Sequence, residues 1–221
     1  MVCDVRNPEH IRQVIKTVSE NPKENDRLDI FYNNAGISGN VTSTNIQNFK
    51  DTMAVNVESV LEIIMQARDA MTKDKRGGCI LCTGSTTGVL GDVVPSPYSI
   101  SKAALVDVVR ATAAELEDDG VRVNAISPRL YVPSFSERLL HEKIFHSTLS
   151  TQLDGMISKY VKTREVAAEH VANAAVYLAS EASKGMTGHN LLLNGKFVLP
   201  CDVAEEASSS EFSSVQPQTQ A

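Results

Sequence analysis

Tyr98 and Lys102 stand four residues apart in the run YSISK, and Ser85 precedes the tyrosine by thirteen. On a helix that spacing puts the phenol and the amine on one face, about one turn apart. A free tyrosine titrates near pH 10, too high for a base at neutral pH. A neighbouring ammonium favours the phenolate, so Lys102 is expected to lower the pKa of Tyr98. The pair is then suited to exchanging a proton with an alcohol or carbonyl oxygen. Ser85 has a hydroxyl to donate to the same oxygen. Taken singly, each has a plainer reading: a surface Tyr beside a surface Lys, and a turn serine in Thr-Gly-Ser.

The surrounding pattern must bring these residues together. Cys79–Thr83 reads as a buried strand, so Ser85 falls just past its carboxyl end, where open α/β sheets bind ligands. Tyr98 to Leu116 reads as the following helix and Val121 to Ile126 as the next strand. Before them, Asn7 and Pro8 open a helix whose Ile11, Val14, Ile15 and Val18 form an apolar stripe. Leu28 to Asn33 reads as a strand and Ile46 to Met71 as a long helix. After them come an Ala-rich helix over Arg164 to Ala179 and a last strand, Asn190 to Leu193. Strands alternating with helices predict an α/β protein with a parallel sheet. Val2 to Asp4 reads as the end of a further short strand.

Composition excludes several classes. The 221 residues suffice for one domain, and the net charge of −6 argues against a nucleic-acid groove or an anionic membrane surface. No apolar run approaches the ~20 residues of a membrane span. Cys79 and Cys82 have CxxC spacing, yet on a strand they point to opposite faces, and no second pair completes a zinc set. No metal is expected, and the cysteines read as core residues of a reducing compartment, the cytoplasm. Leu130 to Thr163 is long for a connection and reads as a lid with Phe135, Phe145, Leu149 and Met156, suited to a hydrophobic ligand. From Asp202 the chain has almost nothing to bury, which divides it into a domain over 1–201 and a disordered tail over 202–221.

Taken together, CDV (Cys3–Val5), LDIFYNNAG (Leu28–Gly36), VNV (Val55–Val57), the Ser85–Tyr98–Lys102 set and VRVNAISP (Val121–Pro128) resemble the classical short-chain dehydrogenases/reductases. The wording is most similar to plant members of the secoisolariciresinol-dehydrogenase and tropinone-reductase-like groups. The resemblance implies a Rossmann-like, doubly wound parallel sheet and an oxidoreductase that interconverts a secondary alcohol and a ketone by hydride transfer with NAD or NADP, NAD before NADP. It implies Tyr98 as general acid/base, Ser85 as orienter of the substrate oxygen, Lys102 as holder of the nicotinamide ribose, and Asn56 as holder of a water that links Lys102 to solvent. Asp4 would meet the adenine amine, with Val5 beside it, and Asn34, Ala35 and Gly36 would line the cofactor cleft. Small hydrophobic alcohols or ketones would be substrates, and the two long helices would pair chains into homo-oligomers.

The family pattern opens with two β-α units and a glycine-rich phosphate loop before the element matching Val2–Asp4, so the resemblance also implies a chain lacking them. Pro128-Arg129 stands where the family has Pro-Gly, and LNGK (Leu193–Lys196) where it has VDGG. Without the first two strands of that pattern the strand at Leu28 is expected to be an open sheet edge, covered by the first helix or by a partner. A second expectation therefore stands beside the first: a catalytically impaired family member that acts by associating with full-length relatives.

Overall fold

The computed structural model describes residues 1–20, 27–40, 45–73, 75–90, 96–129 and 166–195. The expected lid and tail lie outside these residues. Four parallel strands form one sheet in the order β1 (Ile30–Asn33), β2 (Gly78–Thr83), β3 (Val121–Pro128), β4 (Asn190–Leu193). This is the α/β, Rossmann-like architecture read from the alternating pattern.

Helix α1 (Pro8–Ser19) begins as its sequence dictates. The Asn7 side chain accepts from the Glu9 N–H and Pro8 occupies the first turn. It packs on α3 (Ser59–Thr72) through Ile11 and Ile15, which are buried, while Val18 ends up exposed. The long helix expected over Ile46–Met71 is three pieces: α2 (Ile46–Met53), a π-helical turn over Ala54–Glu58, and α3. Single π turns inside α-helices gather at functional sites, and this one contains Asn56.

The sheet buries two cores. On one face α1, α3 and α5 (Ser96–Glu115), which follows the short α4 (Thr87–Leu90), pack Ile64, Val60, Leu105 and Val109 against Ile80, Cys82, Val123 and Ala125. On the other, α6 (Ala168–Ala179) packs Leu178 against Cys79, Leu81 and Ile126. Cys79 and Cys82 thus lie on opposite faces, as strand periodicity requires, and both are free thiols. No helix among the described residues is long and apolar enough to cross a membrane.

One element differs from expectation. Val2–Asp4 is exposed coil, and the Asp4 carbonyl accepts from the Asn7 N–H in a turn that leads into α1. A strand exists only through its ladder, and β1, the sheet's edge, pairs with β2 alone. The expected covering of that edge by the first helix is likewise not seen. Helix α1 rests on α3, and on β1 the side chains of Ile30 and Tyr32 stay 50% and 36% exposed.

Candidate active site

Ser85 is fixed by the ends of two strands. Gly84 donates its N–H to Ile126 O at 2.7 Å and Thr86 to Pro128 O at 3.2 Å, so the backbone on either side of Ser85 is zipped to β3. Its buried hydroxyl accepts from Thr87 Oγ1 at 2.9 Å. Helix α5 starts at Ser96 with Pro97 in its first turn, which places Tyr98 near its N-terminus and Lys102 one turn on. The Tyr98 phenol lies near enough to Ser85 for the serine hydroxyl to favour its ionised form.

Lys102 is 3% exposed. Its Nζ donates to the Thr83 carbonyl at 2.7 Å and stands 5.8 Å from the centre of the Tyr98 ring. Burial draws the Lys102 pKa down to about 8, and the Cys82 thiol beside it acts weakly the other way. Burial also pushes Cys82 up to about 12. For Tyr98 the expected lowering is overturned. Burial raises its pKa, and the Ser85 hydroxyl offsets only part of that. The ammonium lies under the ring and is spent on Thr83, so it does not sit at the phenol oxygen. The free protein therefore presents a neutral phenol, a proton donor.

Asn56 is wholly buried and its amide is fully engaged. Oδ1 accepts from the Ile37 N–H at 2.8 Å, and Nδ2 donates to Ile37 O at 2.8 Å and to Ser101 Oγ at 2.9 Å. Ser101 in turn donates to the Tyr98 carbonyl at 2.7 Å. The side chain straps the loop after β1 to α5. Gly36 lies between: a Cβ there would be 3.3 Å from Asn56 Oδ1 and 3.4 Å from Lys102 Nζ. A glycine here spares the loop a tight contact with the Asn56 amide oxygen as it passes the lysine.

Val5, Asn34 and Ala35 line one cleft of about 390 Å³ with Phe31, Tyr32 and Ile63. Asn34 Oδ1 accepts from Thr83 Oγ1 at 2.7 Å, so Thr83 joins the cleft wall to the lysine. Asp4 stands apart from this set. Its carboxylate takes the Arg6 guanidinium at 2.8 and 3.0 Å, which holds its pKa near 2. Thr83, Thr87 and Ser101 were not legible as site residues. Thr83 acts on Lys102 through a backbone carbonyl, which carries no residue-type signal, and the two hydroxyls lie inside motifs already read for other members. Arg129 is half-buried beyond the end of β3, where its N–H donates to Leu193 O at 2.9 Å; burial lowers its pKa.

A parallel sheet carrying a buried serine, a half-buried tyrosine and a buried lysine at the carboxyl ends of its strands defines an α/β protein of the dehydrogenase kind. Comparison with known proteins agrees. The family model described as enoyl-(acyl carrier protein) reductase matches residues 1–197. The chain is 35% identical over 204 residues to the short-chain dehydrogenase reductase ATA1 of Arabidopsis thaliana, covering 88% of this chain and 74% of that protein. It is 34% identical over 200 residues to the mitochondrial borneol dehydrogenase of Lavandula x intermedia, covering 87% and 70%. Among solved structures, an NAD+-bound xylitol dehydrogenase superposes with a TM-score of 0.77 at 27% identity, covering 88% of this chain and 77% of that one. The chain belongs to the short-chain dehydrogenase/reductase family, a family of oxidoreductases.

Proposed function

We propose that this chain carries the proton-handling half of an NAD(P)-dependent oxidoreductase that interconverts a secondary alcohol and a ketone. The observation that carries this reading is the nearness of the Ser85 hydroxyl to the Tyr98 phenol, with a buried lysine one helical turn on. Two hydroxyls so placed can share one substrate oxygen. In reduction Tyr98 gives its proton to that oxygen while Ser85 orients it. Asn56, through Ser101 and the Tyr98 carbonyl, keeps the helix start in place.

A dinucleotide fits part of this surface. The cleft lined by Val5, Asn34 and Ala35 is of nucleoside size, and the loop that leaves it at Gly36 passes directly beside Lys102, which is covered in the free protein. When bound, the nicotinamide supplies or takes the hydride. The diphosphate between is less well served, because none of the residues lining the cleft is basic. Each charge-assisted bond to phosphate is worth roughly 1.5–3 kcal/mol, so weak cofactor retention is expected. NAD is taken before NADP. The substrate is a small hydrophobic alcohol or ketone, and the free thiols suit a reducing compartment such as the cytoplasm.

The same missing cations and the open β1 edge favour a second reading: an impaired member that works by associating with another copy or with relatives. Calorimetric titration of the purified chain with NAD and with NADP separates the two. Binding at micromolar cofactor, with carbonyl-dependent NADH oxidation lost in Tyr98→Phe, supports the enzyme. Absence of binding at millimolar cofactor defeats it and leaves the second.

A further inference from the structure

We propose that Asn48 is a positioning residue of this centre: its side-chain amide clamps the backbone of Asn40 and so keeps the loop Gly36–Asn40 seated over Lys102. The proposal rests on the reading of Lys102 and Tyr98 as working groups given above.

The loop leaves β1, passes Lys102 at Gly36 and turns back towards α2. Asn56 takes both backbone polar groups of Ile37. Asn48 does the same one turn of loop later: the Asn40 N–H donates to its Oδ1 at 2.6 Å and its Nδ2 donates to Asn40 O at 2.9 Å. A carboxamide carries the donor and acceptor of a peptide group, so each asparagine stands in for a strand neighbour the loop does not have. Asn48 is itself held in place, its N–H by Asn45 Oδ1 at 2.8 Å and its carbonyl by Thr52 Oγ1 at 2.7 Å, and it is buried. Gly39 closes the clamp from the other side. Its φ is +69°, and a Cβ would fall 2.5 Å from Thr52 Oγ1 and 2.6 Å from Asn48 Oδ1.

The two asparagines are not equivalent. Asn56 reaches Ser101 and, through it, Tyr98; Asn48 bonds the loop at Asn40 and its own helix at Asn45 and Thr52, and it reaches the lysine through the loop. With Asn48 gone the loop loses its side-chain clamp at Asn40. Gly36 can then lift, and water reaches an ammonium that is at present almost wholly covered.

The test is native-state reductive methylation of the full chain, with the Lys102 peptide followed by mass spectrometry across pH. In wild type Lys102 labels slowly, with a midpoint near 8. Asn48→Leu and Gly39→Ala are each expected to raise the limiting rate about tenfold, the equivalent of one lost net hydrogen bond. Both also move the midpoint up towards that of the other lysines, which are unchanged. Asn48→Asp keeps the acceptor and loses the donor, and falls between. Circular dichroism verifies folding; should Asn48→Leu not fold, Gly39→Ala and Asn48→Asp decide. Labelling rate and midpoint unchanged from wild type in the folded variants overturns the proposal. The measurement uses neither cofactor nor substrate, so failure to bind NAD or NADP counts against the proposed function alone.

Discussion

The Lys102 ammonium is bonded to the carbonyl of Thr83, 2.7 Å away, and lies beneath the ring of Tyr98 instead of at its hydroxyl. Its pKa, about 8, is below the ordinary value of 10.5 because water is excluded. Folding therefore weakens proton binding here. Between about pH 8 and pH 10.5 the unfolded chain holds more protons at this residue, and the folded form gains stability as pH rises. The urea midpoint of wild type is expected to climb relative to Lys102→Met across that window and to run parallel to it below pH 7. Parallel behaviour throughout would mean the lysine is solvated.

Tyr98 titrates above its usual value, so it is a phenol across the neutral range. Carbonyl reduction needs that proton and is expected to show no loss attributable to Tyr98 below pH 10, whereas alcohol oxidation needs the phenolate and gains with pH. Ser85→Ala removes the hydroxyl that partly offsets burial. It is expected to push the Tyr98 absorbance titration at 295 nm higher still, and to lower kcat by about 10²–10³, as loss of one preorganised donor does elsewhere. Cofactor affinity stays unchanged in calorimetry. A Tyr98 titration that Ser85→Ala leaves in place would break the link between the two hydroxyls.

Periodicity and spacing carried much of this into the sequence, and for physical reasons. Asn7-Pro8 is a helix start because the cap and the fixed φ are local properties. Cys79 and Cys82 fall on opposite faces because a strand alternates. YxxxK aligns Tyr98 with Lys102 because a helix turn is four residues. What the spacing did not hold was direction. It put the lysine near the tyrosine but not under its ring, and the sign of the Tyr98 shift followed from burial, which depends on what packs around it. Asn56 was found as a site residue, yet its bonds to Ile37 and Ser101 depend on a π-helical turn that apolar periodicity does not signal. Asp4 and Val2 looked like a strand end because residue type implies a strand only where a neighbouring strand exists.

The β1 edge bears on how the chain behaves in solution. Ile30 and Tyr32 are half or one-third exposed on a strand whose outer N–H and C=O groups have no ladder partner among the described residues. Edges of this kind pair with other chains unless a charge intervenes. Wild type is expected to associate with rising concentration in light scattering, and Ile30→Lys to suppress that association while leaving the circular dichroism spectrum unchanged. A wild-type chain that stays monomeric and protease-resistant at high concentration removes the edge from any account of partners.

Asn56 supplies the sharpest test of how site and fold are joined. Its amide satisfies Ile37 N–H, Ile37 O and Ser101 Oγ from a fully buried position. Asn56→Ala leaves all three without it, and each buried polar group left unpaired costs about 1–3 kcal/mol. A loss of at least about 3 kcal/mol is expected in urea unfolding. Arg12→Ala, which breaks an exposed ion pair with Glu9, is expected to change stability by less than about 1 kcal/mol. Because Ser101 also holds the Tyr98 carbonyl, the Asn56 variant should loosen the start of α5 as well, and amide exchange over Ser96–Lys102 should quicken with that over Gly36–Asn40. Fast exchange in the loop with none in the helix would show that the strap ends at Ile37 and that Ser101 does not pass it on.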